Sequence, residues 1–409
     1  MSKQIVISIS TIGLLAGCAT QPFTGDPSPA PIISKTNEPT APTSKPAPVA
    51  IPITPPPPPR SPYPTAASEA EARQLLDKVI PQSVSQRSAW AQDMAQAFTA
   101  LKLPYRADYF CATAAVIEQV SNWQAEPVVT GISQIVWREI EQRAGRYGVP
   151  LLAVQTALLI PSRDGRSYKA RIDNLRTERE LNALYEEMME RIPLVRDKLS
   201  MNNPIRTAGP MQVSIAFAQE HVRQKPYPYG RVDIRQETFT RRGGLYFGIA
   251  HLLEHPVSYS HMRYRFADFN AGHYSSRNAA FQLAVARLSG QPLQADGDLL
   301  RYQDGKPTAQ ASQTQQRLYP LANRLGLSRQ DIDQDLTQEK RHSFEQTRLY
   351  QRVFSLADQS SQGKMAREVV PYIRLNSPKI SRRLTTEWFT ERVEGRYQRC
   401  LQRVNSYRQ

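Results

Sequence analysis

Ala208-Gly209-Pro210-Met211-Gln212-Val213 and Ala267-Asp268-Phe269-Asn270-Ala271-Gly272 are the two strings on which the reading of this 409-residue chain turns. Asn270 lies 58 residues after Gln212. Gly-Pro is a turn signal, and it precedes an apolar run that begins at Val213. The second string closes a helical pattern on a glycine. Taken singly, each reads as an ordinary turn before a helix and an ordinary helix cap.

The surroundings of both strings are helical, and alternating strand patterns are scarce. Ser68-Glu69-Ala70-Glu71 is a capping box before an apolar run. Trp90, Met94, Phe98 and Leu101 recur at helical spacing, and Pro104 ends that element. Cys111 to Gln119 is an alanine-rich apolar helix, and Ile132, Ile135, Val136 and Ile140 mark another. Pro150 opens a helix over Leu151 to Ile160. Thr177-Glu178-Arg179-Glu180 is a second capping box. Further helices are expected near Gln212 to His221, Gly243 to Leu253, Arg277 to Leu288, Arg329 to Ala357 and Ser381 to Val404. No internal repeat is visible. The fold class is therefore mainly α.

In this order and near this separation, the two strings resemble the Gly-Leu-Met-Gln and Ala-Tyr-Asn-Ala-Gly motifs of the lysozyme-like lytic transglycosylases. Gly244 to Leu253 resembles that family's intervening helix. Ile117-Glu118-Gln119-Val120-Ser121-Asn122-Trp123 resembles the end of its catalytic helix. The similarity covers roughly Tyr109 to Leu288. The chain as a whole also looks like a proteobacterial lipoprotein family catalogued as a domain of unknown function. The resemblance implies a lysozyme-like core over about 105–290, an inserted helical subdomain over about 130–200 and a helical C-terminal extension over about 291–409. It also implies a peptidoglycan glycan cleft, with Ser121, Met211, Gln212, Phe269 and Asn270 as the substrate-binding candidates.

The chemistry of that family needs a carboxyl group kept protonated beside the glycosidic oxygen by an apolar pocket. Here the matching position is Val120, which has no proton to give. Glu118 is the nearest substitute, but two residues of helix turn it about 200° from Val120. Glu126 is another acid close by. Phe269 stands where the family has tyrosine, which removes a hydroxyl. The expected function is an envelope protein whose cleft engages peptidoglycan through a degenerate, non-catalytic site. The alternatives are a lytic transglycosylase acting through Glu118 or a nearby acid, and an envelope scaffold that binds another protein.

His251-Leu252-Leu253-Glu254-His255 matches the H-x-x-E-H pattern of inverted zinc peptidases, with His261 and His273 as extra ligands. Pro256 follows at once, so a helix end with histidines near its negative pole is the plainer reading, and no metal site is assigned. No cofactor is expected: Gly243-Gly244 lacks the spacing and lysine of a phosphate loop. Ser162 and Ser214 have no nucleophile setting.

The N-terminus supplies the compartment. Lys3 precedes an apolar run from Ile5 to Leu15, and Leu15-Ala16-Gly17-Cys18 follows. This reads as a signal peptide over 1–18. Its end resembles the bacterial lipobox, which makes Cys18 the lipidation site; two or more acyl chains anchor stably. Ala19 implies the outer membrane, with the chain facing the periplasm. Residues 19–67 read as a disordered tether, because sixteen of the 32 prolines fall between Pro22 and Pro64 and aromatics are nearly absent. The folded region would span 68–409. Net charge is +15, and the tether contributes little of it. An exported basic domain excludes nucleic acid and favours anionic partners, peptidoglycan and the membrane among them. Arg392, Arg396, Arg399 and Arg403 put part of that charge on an amphipathic C-terminal helix. Cys111 and Cys400 allow one pairing, and a bridge or two buried thiols both remain open.

Overall fold

The computed structural model describes residues 63–191, 203–303, 305–360, 363–375 and 384–406. The signal peptide, Cys18 and the tether as far as residue 62 lie outside the described residues. Among the described residues no helix is long and apolar enough to cross a membrane.

The chain is mainly helical, and its helices bury three apolar clusters. The first begins with α1 (Glu69–Val79), α2 (Arg87–Ala100) and α3 (Ala107–Val120). Ser68 caps α1 by accepting the Glu71 amide at 3.2 Å. The last residues of the expected tether are pinned at the start of α3, where Ala66 N–H donates to Tyr105 O and Ala107 N–H to Pro64 O. Four alanines help enclose α3 from Ala107 to Ile117, Tyr109 excepted, while its last turn is only half-buried. The second cluster holds α4 (Ile132–Arg146), α5 (Leu151–Ala157), α6 (Tyr168–Asp173) and α7 (Glu178–Arg191). Pro150 sits just ahead of α5, and α5 stops at Ala157, three residues short of the expected end. The capping box of α7 is complete: Glu180 N–H donates to Thr177 Oγ1 at 3.2 Å, and Thr177 N–H to Glu180 Oε2 at 3.1 Å.

A short hairpin follows, β1 (Thr207–Ala208) paired antiparallel with β2 (Val213–Ser214). Then come α8 (Ile215–Gln224), α9 (Ile234–Thr238) and α10 (Arg241–Ile249). α10 runs directly into a π-helical turn, Ala250–Glu254, which His255 and Pro256 end. α11 (Met262–Ala271) and α12 (Ser275–Ser289) meet at Gly272. The third cluster packs α12 against α13 (Gln313–Leu318), α14 (Ala322–Leu325), α15 (Arg329–Leu336) and α16 (Arg348–Gln359).

The single helix expected over Arg329 to Ala357 is therefore two. Thr347 caps α16 by accepting the Tyr350 amide at 3.2 Å, and a cap of its own starts a new helix. The break also lets the Glu339 and Arg341 carbonyls accept from the buried Arg277 guanidinium.

α17 (Thr386–Ser406) closes the fold. The first residues of its expected range, 381–383, lie outside the described residues. Val393, Tyr397, Cys400, Leu401 and Val404 form its buried stripe, which packs on α3 and α11 and so returns to the first cluster. Each such side chain contributes about 1.5–3 kcal/mol by leaving water. Cys111 of α3 and Cys400 of α17 are disulfide-bonded.

Candidate functional site

The two opening strings reach one cleft of about 680 Å³. Its near wall comes from Ser214 and Phe217, just after the first string, and from Ala271 and Gly272, which end the second. Its floor includes His251 and His273. Gln294, Asp296, Asp298, Lys340, Tyr372 and Arg374 make the far side.

The Gly209–Gln212 turn owes its position to packing. Gly209 adopts a φ of +74°, and its Cα lies where a Cβ would stand 3.0 Å from Gly244 Cα. Pro210 covers Gly244, and Met211 covers Gly248, because glycines four apart on α10 share one bare face. Met211 is consequently wholly buried and belongs to the first core, not to the cleft, which corrects its expected role. Gln212 folds back on its own turn, accepting from Thr207 Oγ1 at 3.0 Å. Asn270 accepts from Thr386 Oγ1 at 3.0 Å and ties α11 to the start of α17. Phe269 is buried with its ring 5.1 Å from that of His251. None of these four is among the described lining residues.

The catalytic-helix candidates also lie elsewhere. Val120 is half-buried against the first core. Ser121 donates back to Ile117 O at 3.0 Å. Glu118 pairs with Arg396 of α17 at 3.3 Å, so a cation faces it where the family chemistry calls for apolar enclosure. Glu126 accepts from Thr177 Oγ1 at 2.7 Å and braces the start of α7.

The π turn explains the histidine string. With five residues per hydrogen-bonded ring rather than four, His251, Glu254 and His255 do not converge as they would on an α-helix. The His251 and His255 rings each lie on His273, with centroids 4.3 and 4.0 Å away, while His273 Nε2 meets His251 O at 2.8 Å. Burial pushes His251 and His255 well below the usual imidazole range and His273 down to about 4. These rings are therefore neutral at pH 7. Glu254 turns away and meets His221 Nε2 at 2.8 Å and the Lys225 ammonium. Burial raises the Glu254 carboxyl, but those two partners outweigh it and hold the group below its ordinary value. Among the described residues no group of three His, Cys, Asp or Glu side chains is arranged to hold a metal ion.

Asp268, inside the second string, is sealed. It accepts from Tyr259 Oη at 2.6 Å, Tyr274 N at 2.9 Å and Ser276 N at 2.7 Å, and thereby fixes the α11–α12 corner. Burial outweighs these bonds and pushes its pKa up to about 6.

On the far side, Asp296 Oδ1 accepts from Gln282 Nε2 at 2.8 Å and from Asp298 N at 3.1 Å. Burial raises its pKa. Gly297 between them has a φ of +88°, and a Cβ there would lie 2.8 Å from Ser275 Cβ. Asp298 meets Lys340 at 3.1 Å. Tyr372 is held by its amide on Ala295 O at 2.8 Å, which leaves the ring half exposed at the rim. Sequence reasoning missed this acidic wall. Asp296-Gly297-Asp298 reads as a plain turn, and only the packing of α12 on residues 294–298 carries it into the cleft. What the cleft offers chemically is an aromatic rim, neutral imidazoles, carboxylates and a lysine, a set suited to a polar, hydroxyl-rich ligand.

The chain is 47% identical over 324 residues to "Uncharacterized protein YaiW" of Escherichia coli (strain K12), an alignment covering 79% of this chain and 87% of that protein. No solved structure matches the chain. A family model described as "Protein of unknown function (DUF1615)" matches residues 83–403, which takes in the second and third apolar clusters, most of the first and the cleft, and the chain belongs to that family.

Proposed function

We propose that this chain is an outer-membrane lipoprotein, anchored through Cys18, whose cleft binds the glycan strand of peptidoglycan without cleaving it. One observation carries the reading. The second of the two strings ends in the wall of an open cleft, at Ala271 and Gly272, and the residues just after the first, Ser214 and Phe217, line the same cleft, while the acid of the resembled catalytic helix is replaced by Val120 and its neighbour Glu118 is ion-paired with Arg396. Phe217 and Tyr372 provide faces for sugar rings. Asp296, Asp298 and Gln294 provide acceptors and a donor for hydroxyl and amide groups. The lysozyme-like ancestry of the core is part of this proposal.

A catalytic reading has one observation in its favour: Asp296 lines the cleft and burial favours its protonated form, as a general acid requires. Incubation of the chain with purified sacculi separates the two. Co-sedimentation without soluble products supports binding alone. Anhydro-muropeptides by mass spectrometry, lost in Asp296→Asn, would replace it with catalysis. Absence of both binding and products would reject the glycan assignment.

A further inference from the structure

A second pocket, of about 340 Å³, opens among the starts of α3 and α11, the 257–261 loop and the middle of α17. It is polar, and its most telling residue is Arg265. The Arg265 side chain is largely enclosed, and burial lowers its pKa. Its Nη1 donates to Leu252 O at 3.1 Å and His255 O at 3.2 Å. Its Nε and Nη2 donate to nothing among the described residues, and it makes no ion pair there. An enclosed guanidinium with no carboxylate bonded to it, attracted by Asp268 only at a distance, is costly. The free Nε–Nη2 edge is the one that forks onto a carboxylate.

The neighbours add donors. The Tyr109 and Tyr397 hydroxyls line the same pocket, and neither donates to an acceptor among the described residues. Asp108 is already satisfied by Arg106, whose Nε and Nη2 reach it at 3.0 and 2.6 Å. Glu394 accepts from Gln398 Nε2 at 2.7 Å and leaves one negative charge on the wall. That charge disfavours a dianion such as phosphate and tolerates a monoanion better.

We propose that this pocket binds the carboxylate of a small molecule or chain terminus, with the Arg265 fork and the Tyr109 and Tyr397 hydroxyls as its donors. The site is separate from the glycan cleft and does not depend on it.

The test is a saturation-transfer NMR titration of the full chain with acetate, with inorganic phosphate as a second arm at matched ionic strength. Arg265 also holds the end of the π turn, so the informative variant is Tyr109→Phe/Tyr397→Phe, which keeps both rings. Saturable acetate binding that weakens at least about tenfold in the double variant is expected, since each hydrogen bond to a charged group is worth about that much. No saturable acetate binding, or equal affinity in the double variant, would overturn the proposal. Tighter binding of phosphate than of acetate would overturn its carboxylate assignment.

Discussion

Gly248→Ala sets two well-calibrated effects against each other. Replacing a mid-helix glycine by alanine ordinarily stabilises a helix by about 0.8–1 kcal/mol. At Gly248 the added methyl would stand 2.7 Å from Met211 Cβ and 3.0 Å from Met211 Cγ. A Cβ cannot rotate away, so the whole Gly209–Gln212 turn must lift off α10. Overpacking of this kind costs about 1–3 kcal/mol. The net expectation is a loss of up to about 2 kcal/mol, read as a lower urea midpoint at unchanged slope. Met211→Ala alone should cost about 2–5 kcal/mol, because the side chain is fully enclosed. In the double variant the contacts with Met211 Cγ and Sδ are gone while the 2.7 Å approach of the two Cβ atoms stays, so only part of the overpacking is relieved and the variant should be modestly more stable than the sum of the single changes predicts. A Gly248→Ala protein as stable as the parent, or strictly additive costs, would refute the claim that the Gly-Pro-Met turn is seated on the bare face of α10.

Three more outcomes follow from the structure. Neutral His251, His255 and His273 bind fewer protons folded than unfolded between about pH 6.5 and their lowered native values, so their contribution is lost as pH falls through that window. Asp268, pushed up to about 6, and Glu339, pushed up to about 7, act in the opposite sense, losing stability as pH rises from about 4. Urea titrations from pH 7 to pH 5 should therefore show a steeper loss on acidification in Asp268→Asn and a flatter one in His273→Gln, and a parallel profile in both would contradict the assignment. Cys111→Ser/Cys400→Ser removes a link between residues 289 apart in sequence and should lower stability by up to about 5.7 kcal/mol in the chain-entropy account, seen as a lower Tm. Phe217→Ala should weaken co-sedimentation with sacculi while leaving the far-UV spectrum unchanged; undiminished binding would move the glycan surface away from this cleft.

Helix positions were largely legible, because capping and 3.6-residue periodicity are local. The Thr177–Glu180 box forms as written, and α1, α3, α4 and α7 lie where their apolar spacing puts them. The stretch from Arg329 to Ala357 was not: the expected single helix ran over seven consecutive polar residues, 337–343, that carry no apolar spacing, and over the threonine cap at Thr347. The candidate site divided in the same way. The second opening string touches the cleft through Ala271 and Gly272, whereas the first only leads to it through Ser214 and Phe217, which follow it. The singled-out Met211, Phe269 and Asn270 pack or brace the walls instead.

The chain by itself determined its helical class, the caps that start most helices, the positions of the two turns and the absence of an acid at Val120. These follow from side-chain chemistry within a few residues. Only the tertiary structure decided that Met211 is core, that Glu118 pairs with Arg396, that three histidines stack and that Asp296 faces the cleft. Each of those depends on groups far apart in sequence and on the desolvation that their packing imposes, which no local spacing encodes.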